Sequence, residues 1–199
     1  MLKDILLDCY RLIDEVEHYE QISNIQVQSI LRAEIANIRD LNMRQDVYEM
    51  IYHSKNVVNK ITRDYIKNLT VEDVKSDSDG KIYFKNLSMP IISIKNITDE
   101  LNNPIIFNCY YDYVKVPIKN SDLSVAYYFE NKDLGSIFES YMLPLGVTEH
   151  IIALGTVSEY LSKKLLYSEA KMYESMFKEE LEDVRANKKN RSFPAWRKF

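Results

Sequence analysis

Ser76-Asp77-Ser78-Asp79-Gly80, followed by Lys81-Ile82-Tyr83-Phe84, decides the fold, because the apolar spacing differs on its two sides. Short polar residues ending in Gly form turns, and the alternation after them is that of a half-buried strand. Upstream the spacing is helical. Leu2, Ile5, Leu6, Cys9, Leu12, Ile13 and Val16 recur every three or four residues, which predicts a first helix from Leu2 to about Tyr19. Ser23 or Asn24 can cap a second helix carrying Val27, Ile30, Leu31, Ile35 and Ile38. A third stripe runs through Val47, Met50, Ile51, Val57, Val58, Ile61, Tyr65 and Ile66, and the stretch at Asn68 and Thr70 reads as polar. Downstream, the Ile-, Val-, Tyr- and Phe-rich runs 91–97, 105–116 and 125–129 predict one small antiparallel sheet of three to five strands. Helical spacing returns after Leu143-Pro144-Leu145-Gly146, first at Val147, Ile151, Leu154, Val157, Leu161 and Leu165. It continues at Tyr173, Met176, Phe177, Leu181 and Val184, with Ser168 a possible cap between two helices, though one long helix is also allowed.

The expected fold class is therefore α+β, with N-terminal helices (1–70) and C-terminal helices (144–186) forming one bundle. A β subdomain (76–135) is inserted between them, and an extended basic C-terminal tail (187–199) follows.

Composition narrows the function. The 199 residues include only 4 Gly and 5 Pro, which argues against a glycine-loop nucleotide enzyme, and the net charge of -4 argues against a generally basic nucleic-acid surface. Two cysteines, Cys9 and Cys109, make no disulfide framework, so synthesis in a reducing cytoplasm is expected. Charges at Lys3, Asp4 and Asp8 interrupt the start where an export signal needs an apolar run. No stretch reaches the roughly 18 apolar residues of a membrane span, so no membrane contact is expected.

The residues that carry chemistry do not converge. His18, His53 and His150 fall in separate helical segments without a second ligand at metal spacing, and no zinc, nucleophile-elbow or phosphate-loop motif is present. Asp77, Asp79 and Gly80 imitate the middle of a calcium loop. With Gly80 sixth, however, Lys75 and Asn86 occupy the first and twelfth positions, where carboxylates are required. No cofactor, metal or catalytic residue is expected. Tyr110, Tyr111, Tyr113, Tyr127 and Tyr128 could stack nucleobases, but only Lys115 and Lys119 are near in sequence, so strand packing or a subunit interface is the better reading.

The C-terminal residues are the most informative. Six of the 26 basic residues lie in 185–199 with no acidic one, which leaves 20 basic against 30 acidic residues in 1–184. Phe193, Trp196 and Phe199 recur every three residues among Arg191, Arg197 and Lys198, with Pro194 stiffening the chain. Large aromatics beside Arg are the usual anchors of a protein interface, so these seven residues are candidates for docking on an acidic partner.

The order of parts resembles the head-tail connector, or adaptor, proteins of tailed bacteriophages. The resemblance rests on the strand block from Met89-Pro90-Ile91-Ile92-Ser93-Ile94 through Tyr127-Tyr128-Phe129, and on Met142-Leu143-Pro144 leading into paired helices. Tyr160 to Tyr167 and Ala170 to Leu181 look like that family's closing helices, and Trp196-Arg197-Lys198 like its portal-docking extension. It implies a non-enzymatic virion protein at the head-tail neck, made in the host cytoplasm, with the portal protein and other neck or tail proteins as partners. It further implies self-assembly into a ring, a dodecamer, through whose lumen double-stranded DNA passes without sequence-specific contact. The main alternative is a nucleic-acid-binding regulator, with a helix-turn-helix between Val27 and Tyr65 and the tail on phosphate. An enzyme with an unrecognised carboxylate site is the lesser one.

Overall fold

The computed structural model describes residues 1–14, 41–134 and 139–191. They divide between two compact units, a helical one (1–61 with 133–199) and a β unit (62–132). The predicted second helix lies outside the described residues, as does residue 192 onward.

Among the described residues, the first unit contains four helices: α1 (Leu2–Asp14), α2 (Leu41–Lys60), α3 (Glu149–Lys163) and α4 (Tyr167–Arg191). The N- and C-terminal helices pack together as expected, and α3 touches all three others. Its sequence explains this central place. Every residue from Ile151 to Ser158 is buried, so α3 is covered on all sides rather than along one stripe. Thr148 caps it, its hydroxyl accepting from Ile151 N at 3.4 Å, and Glu149 complements the positive end of the helix dipole. The polar side chains inside are satisfied locally: the Thr156 hydroxyl donates to the Ile152 carbonyl at 2.7 Å and that of Ser54 to the Met50 carbonyl at 2.7 Å. Gly155 lets the helices close up. A Cβ there would lie 2.7 Å from Val57 Cγ1 and 3.0 Å from Phe177 Cε2.

Two separate helices, not one long one, follow the Leu-Pro turn. Leu165 adopts φ +65°, while Leu166 N donates to Leu161 O and Leu165 N to Ser162 O, the paired bonds that close a helix with a left-handed residue. That conformation costs a β-carbon about 1–2 kcal/mol, and Gly loses part of the gain to chain entropy. Leu165→Gly is expected to stabilise the helical unit by about 0.5–1 kcal/mol in urea unfolding. An unchanged midpoint would show that the side chain, although exposed, makes up the cost.

α4 runs on to Arg191, so residues 187–191, expected to open the tail, continue the helix. The apolar stripe ends at Val184, but residues 185–191 contain neither Gly nor Pro and permit further turns.

The β unit corrects the single-sheet expectation. After a π-helical turn at Ile61–Tyr65 come β1 (Leu69–Lys75), β2 (Lys81–Tyr83), β3 (Ile91–Thr98), β4 (Asn108–Cys109), β5 (Tyr113–Lys115) and β6 (Asp122–Phe129). They form two three-stranded antiparallel sheets, ordered β1-β6-β3 and β2-β5-β4. One core joins them, with Ile82 and Val114 from the second sheet, and Val116 just after it, meeting Val125, Tyr127 and Phe129 from the first.

Two boundaries differ from the sequence reading. β1 precedes the turn at Ser76, where the sequence reads as polar, because it is an edge strand exposing Leu69, Val71, Asp73 and Lys75 along one side. The apolar run 105–116 is not one strand, since it bends at Tyr111-Asp112 into the β4-β5 hairpin. The Asp77 turn behaves as a turn. Its carboxylate accepts from Asp79 N and Lys81 N, each at 2.8 Å, and Gly80 takes φ +77° where a Cβ would lie 2.3 Å from the Val116 carbonyl oxygen.

Candidate functional site

The small sheet β2-β5-β4 presents one face to the core through Ile82 and Val114. Side chains alternate along a strand, so the neighbouring positions form the opposite face. Register then sets two rows across three strands. Lys81 lies beside Lys115 and Lys115 beside Asn108; Tyr83 lies beside Tyr113, and Tyr110 N donates to Tyr113 O at 2.9 Å. The rings follow the backbone. Tyr83 and Tyr113 have centroids 5.8 Å apart, and Tyr113 stacks on Tyr110 at 4.7 Å with planes 16° apart. Lys81 Nζ sits 5.3 Å from the Tyr113 centroid and Lys85 Nζ 5.5 Å from that of Tyr83. Tyr83, and after it Asp79, hold the Lys81 ammonium above its ordinary pKa, so it remains a cation. Tyr111, at the hairpin bend beside this row, is fully exposed.

Sequence reasoning found Tyr110, Tyr111 and Tyr113 but missed Tyr83, Lys81 and Lys85, which lie about thirty positions upstream and join the cluster only through strand pairing. It also grouped in two tyrosines that belong elsewhere. Tyr127 is buried and packs in the core, so it is not an interface residue. Tyr128 is half-buried on the other sheet, with Lys67 Nζ 5.1 Å from its ring centroid.

Tyr127 instead completes a polar anchor inside the β unit. Its hydroxyl and that of Ser88 donate to Glu72 Oε1, and Ser88 N donates to Oε2 at 3.0 Å. Burial pushes the Glu72 carboxyl up, but the Ser88 and Tyr127 hydrogen bonds outweigh it and leave the pKa below the ordinary 4.5. Burial and the same carboxylate raise the Tyr127 phenol. A lowered folded-state carboxyl contributes stability that is complete above its unfolded pKa and is lost as pH falls through the folded one. Glu72→Gln is therefore expected to flatten the loss of stability between about pH 5 and about pH 3. Parallel acid limbs for the two proteins, followed by urea unfolding, would contradict the assignment.

In the helical unit, a groove of about 560 Å³ is lined by His53, Ser158, Glu159, Ser162, Lys171 and Glu174, among others. His53 Nδ1 lies 3.0 Å from Glu159 Oε2, joining α2 to α3. His53 Nε2 is enclosed, with no hydrogen-bond partner among the described residues. The pair ties α2 to α3 along the groove. His150 meets Asp8 at the rim of the same bundle, and His18 lies outside the described residues. Of the docking candidates, Arg191 ends α4. Phe193, Pro194, Trp196, Arg197, Lys198 and Phe199 lie outside the described residues.

No protein-family model matches this sequence, and a search of curated proteins finds no match. Among the described residues, no helix is long and apolar enough to cross a membrane.

Proposed function

We propose that this chain is the structural subunit of a head-tail adaptor ring of a tailed bacteriophage, joining the DNA-filled head to the tail beneath the portal. The observation that carries the reading is the layout: N- and C-terminal helices packed around α3, an inserted β unit, and a last helix that the basic aromatic residues follow in sequence. In this reading Arg191, Phe193, Pro194, Trp196, Arg197, Lys198 and Phe199 dock each copy on the portal. Tyr110, Tyr111 and Tyr113 contact neighbouring copies. Ring contacts of that head-to-tail kind close only when the rotation per subunit closes, which a dodecamer satisfies. The bundle carries the next neck component, and DNA passes through the lumen without base contacts. The acidic body supports that last point, because a lumen lined with cations would retain phosphate.

The test is sedimentation of the purified chain alone, with portal protein, and with random duplex DNA. Co-migration with the portal ring and indifference to DNA are expected. Binding to duplex DNA that weakens steeply with salt, without portal binding, would favour the regulator instead.

A further inference from the structure

The open face of the β2-β5-β4 sheet has a chemistry that selects its occupant. A base-stacking surface needs free ring faces. Two of the rings are covered: Lys85 and Lys81 lie over Tyr83 and Tyr113, and Tyr110 stacks on Tyr113, so of the cluster only Tyr111 is fully exposed. Exposed beside these rings are Lys85 and Lys115, with Tyr110 and Tyr111 at the hairpin bend. Exposed cations beside aromatic rings suit carboxylates carried on a protein surface.

The same molecule carries such a surface. On α4, Glu179, Glu180, Glu182 and Asp183 are all exposed, one turn beyond the exposed Met172 and Met176. Glu182 pairs with Arg185 at 3.2 Å. Two unlike patches on one chain, one cationic and aromatic, the other anionic and flanked by methionine, are what a head-to-tail contact between identical copies requires.

We infer that the Tyr83/Tyr110/Tyr113 face, with Lys85 and Lys115, binds the acidic exposed side of α4 on a second copy of this chain. The inference rests on the ring reading and names its self-contact. Charge reversal with rescue tests it. One variant carries Lys85→Glu and Lys115→Glu, the other Glu179→Lys, Glu180→Lys and Asp183→Lys; all five positions are exposed, and far-UV circular dichroism checks the fold of each. Mass is followed by light scattering against concentration, on the portal where the free chain does not assemble.

Each variant alone is expected to need on the order of 100-fold more protein than wild type to assemble, since like charges then face each other. An equimolar mixture is expected to regain assembly, because each variant's altered patch now matches the other's and alternating copies close an even-numbered ring. Variants that assemble like wild type would overturn the inference and leave the ring reading standing. A wild-type chain that stays monomeric with and without portal would reject the ring reading and the inference with it. Single-stranded oligonucleotide binding lost in the lysine variant, with self-assembly unchanged, would reassign the face to nucleic acid.

Discussion

Phe177→Ala is expected to lower the stability of the helical unit by about 3–5 kcal/mol, the range for removing a buried phenylalanine that its surroundings do not collapse to fill. Phe177 is 3% exposed and lies on the α4 stripe with Ala170, Tyr173 and Leu181, each of them buried. Its ring sits over Gly155 on the central helix, where two edge carbons lie 3.0 and 3.1 Å from the point at which a Cβ would be. That closeness yields a companion result whose sign separates two effects. Ala is favoured over Gly inside a helix by about 1 kcal/mol, whereas forcing a methyl into a filled core costs about 1–3 kcal/mol. With Val57 Cγ1 at 2.7 Å, crowding wins, and Gly155→Ala is expected to destabilise. The cost should shrink when Phe177→Ala is also present, because the ring that crowds the methyl has gone. Additive losses in urea unfolding, followed at the helical circular dichroism band, would mean that the two sites do not share a contact.

Trp196→Ala together with Phe199→Ala is expected to abolish docking on the portal while leaving the fold intact. Among the described residues, the buried stripe of α4 closes at Leu181, with Val184 half-buried after it, well before these aromatics in sequence. Interface anchors of this type cost about 2 kcal/mol or more each on truncation, and a ring repeats the loss at every copy. In infection, the double variant should give DNA-filled heads that leak DNA or lack tails. Reversing Arg191, Arg197 and Lys198 to Glu should act differently, slowing docking and changing its salt dependence, because rim charges govern encounter more than residence. Normal yields of infectious particles from the double aromatic variant would remove the docking role from these residues.

The helical half of the fold was legible because its signal is local. Ile5, Leu6, Cys9 and Ile13, or Tyr173, Phe177 and Leu181, mark a buried face by spacing alone, and each of them is buried. The β half was legible only in kind. Edge strand β1 exposes the apolar Leu69 and Val71 and half-buries Thr70, Glu72 and Val74, so its apolar residues do not mark the inward side, and a bend within 105–116 has no Gly or Pro to announce it. The candidate site suffered most, since it depends on pairing. Lys81 meets Lys115, and Tyr83 meets Tyr113, across a register that the sequence does not state. Tyr127 and Tyr128 show the converse: adjacent residues on β6 point to opposite faces, one into the core and one outward, so grouping tyrosines by proximity joined side chains that the strand separates.

The proposed role is that of a ring subunit of the virion neck. It is tested most directly by counting the chain against the portal protein in purified particles, by quantitative mass spectrometry with isotope-labelled peptides of both. The account predicts that the chain is present and matches the portal ring copy for copy, as a dodecamer on a dodecamer. Particles that carry the portal protein but none of this chain would contradict it.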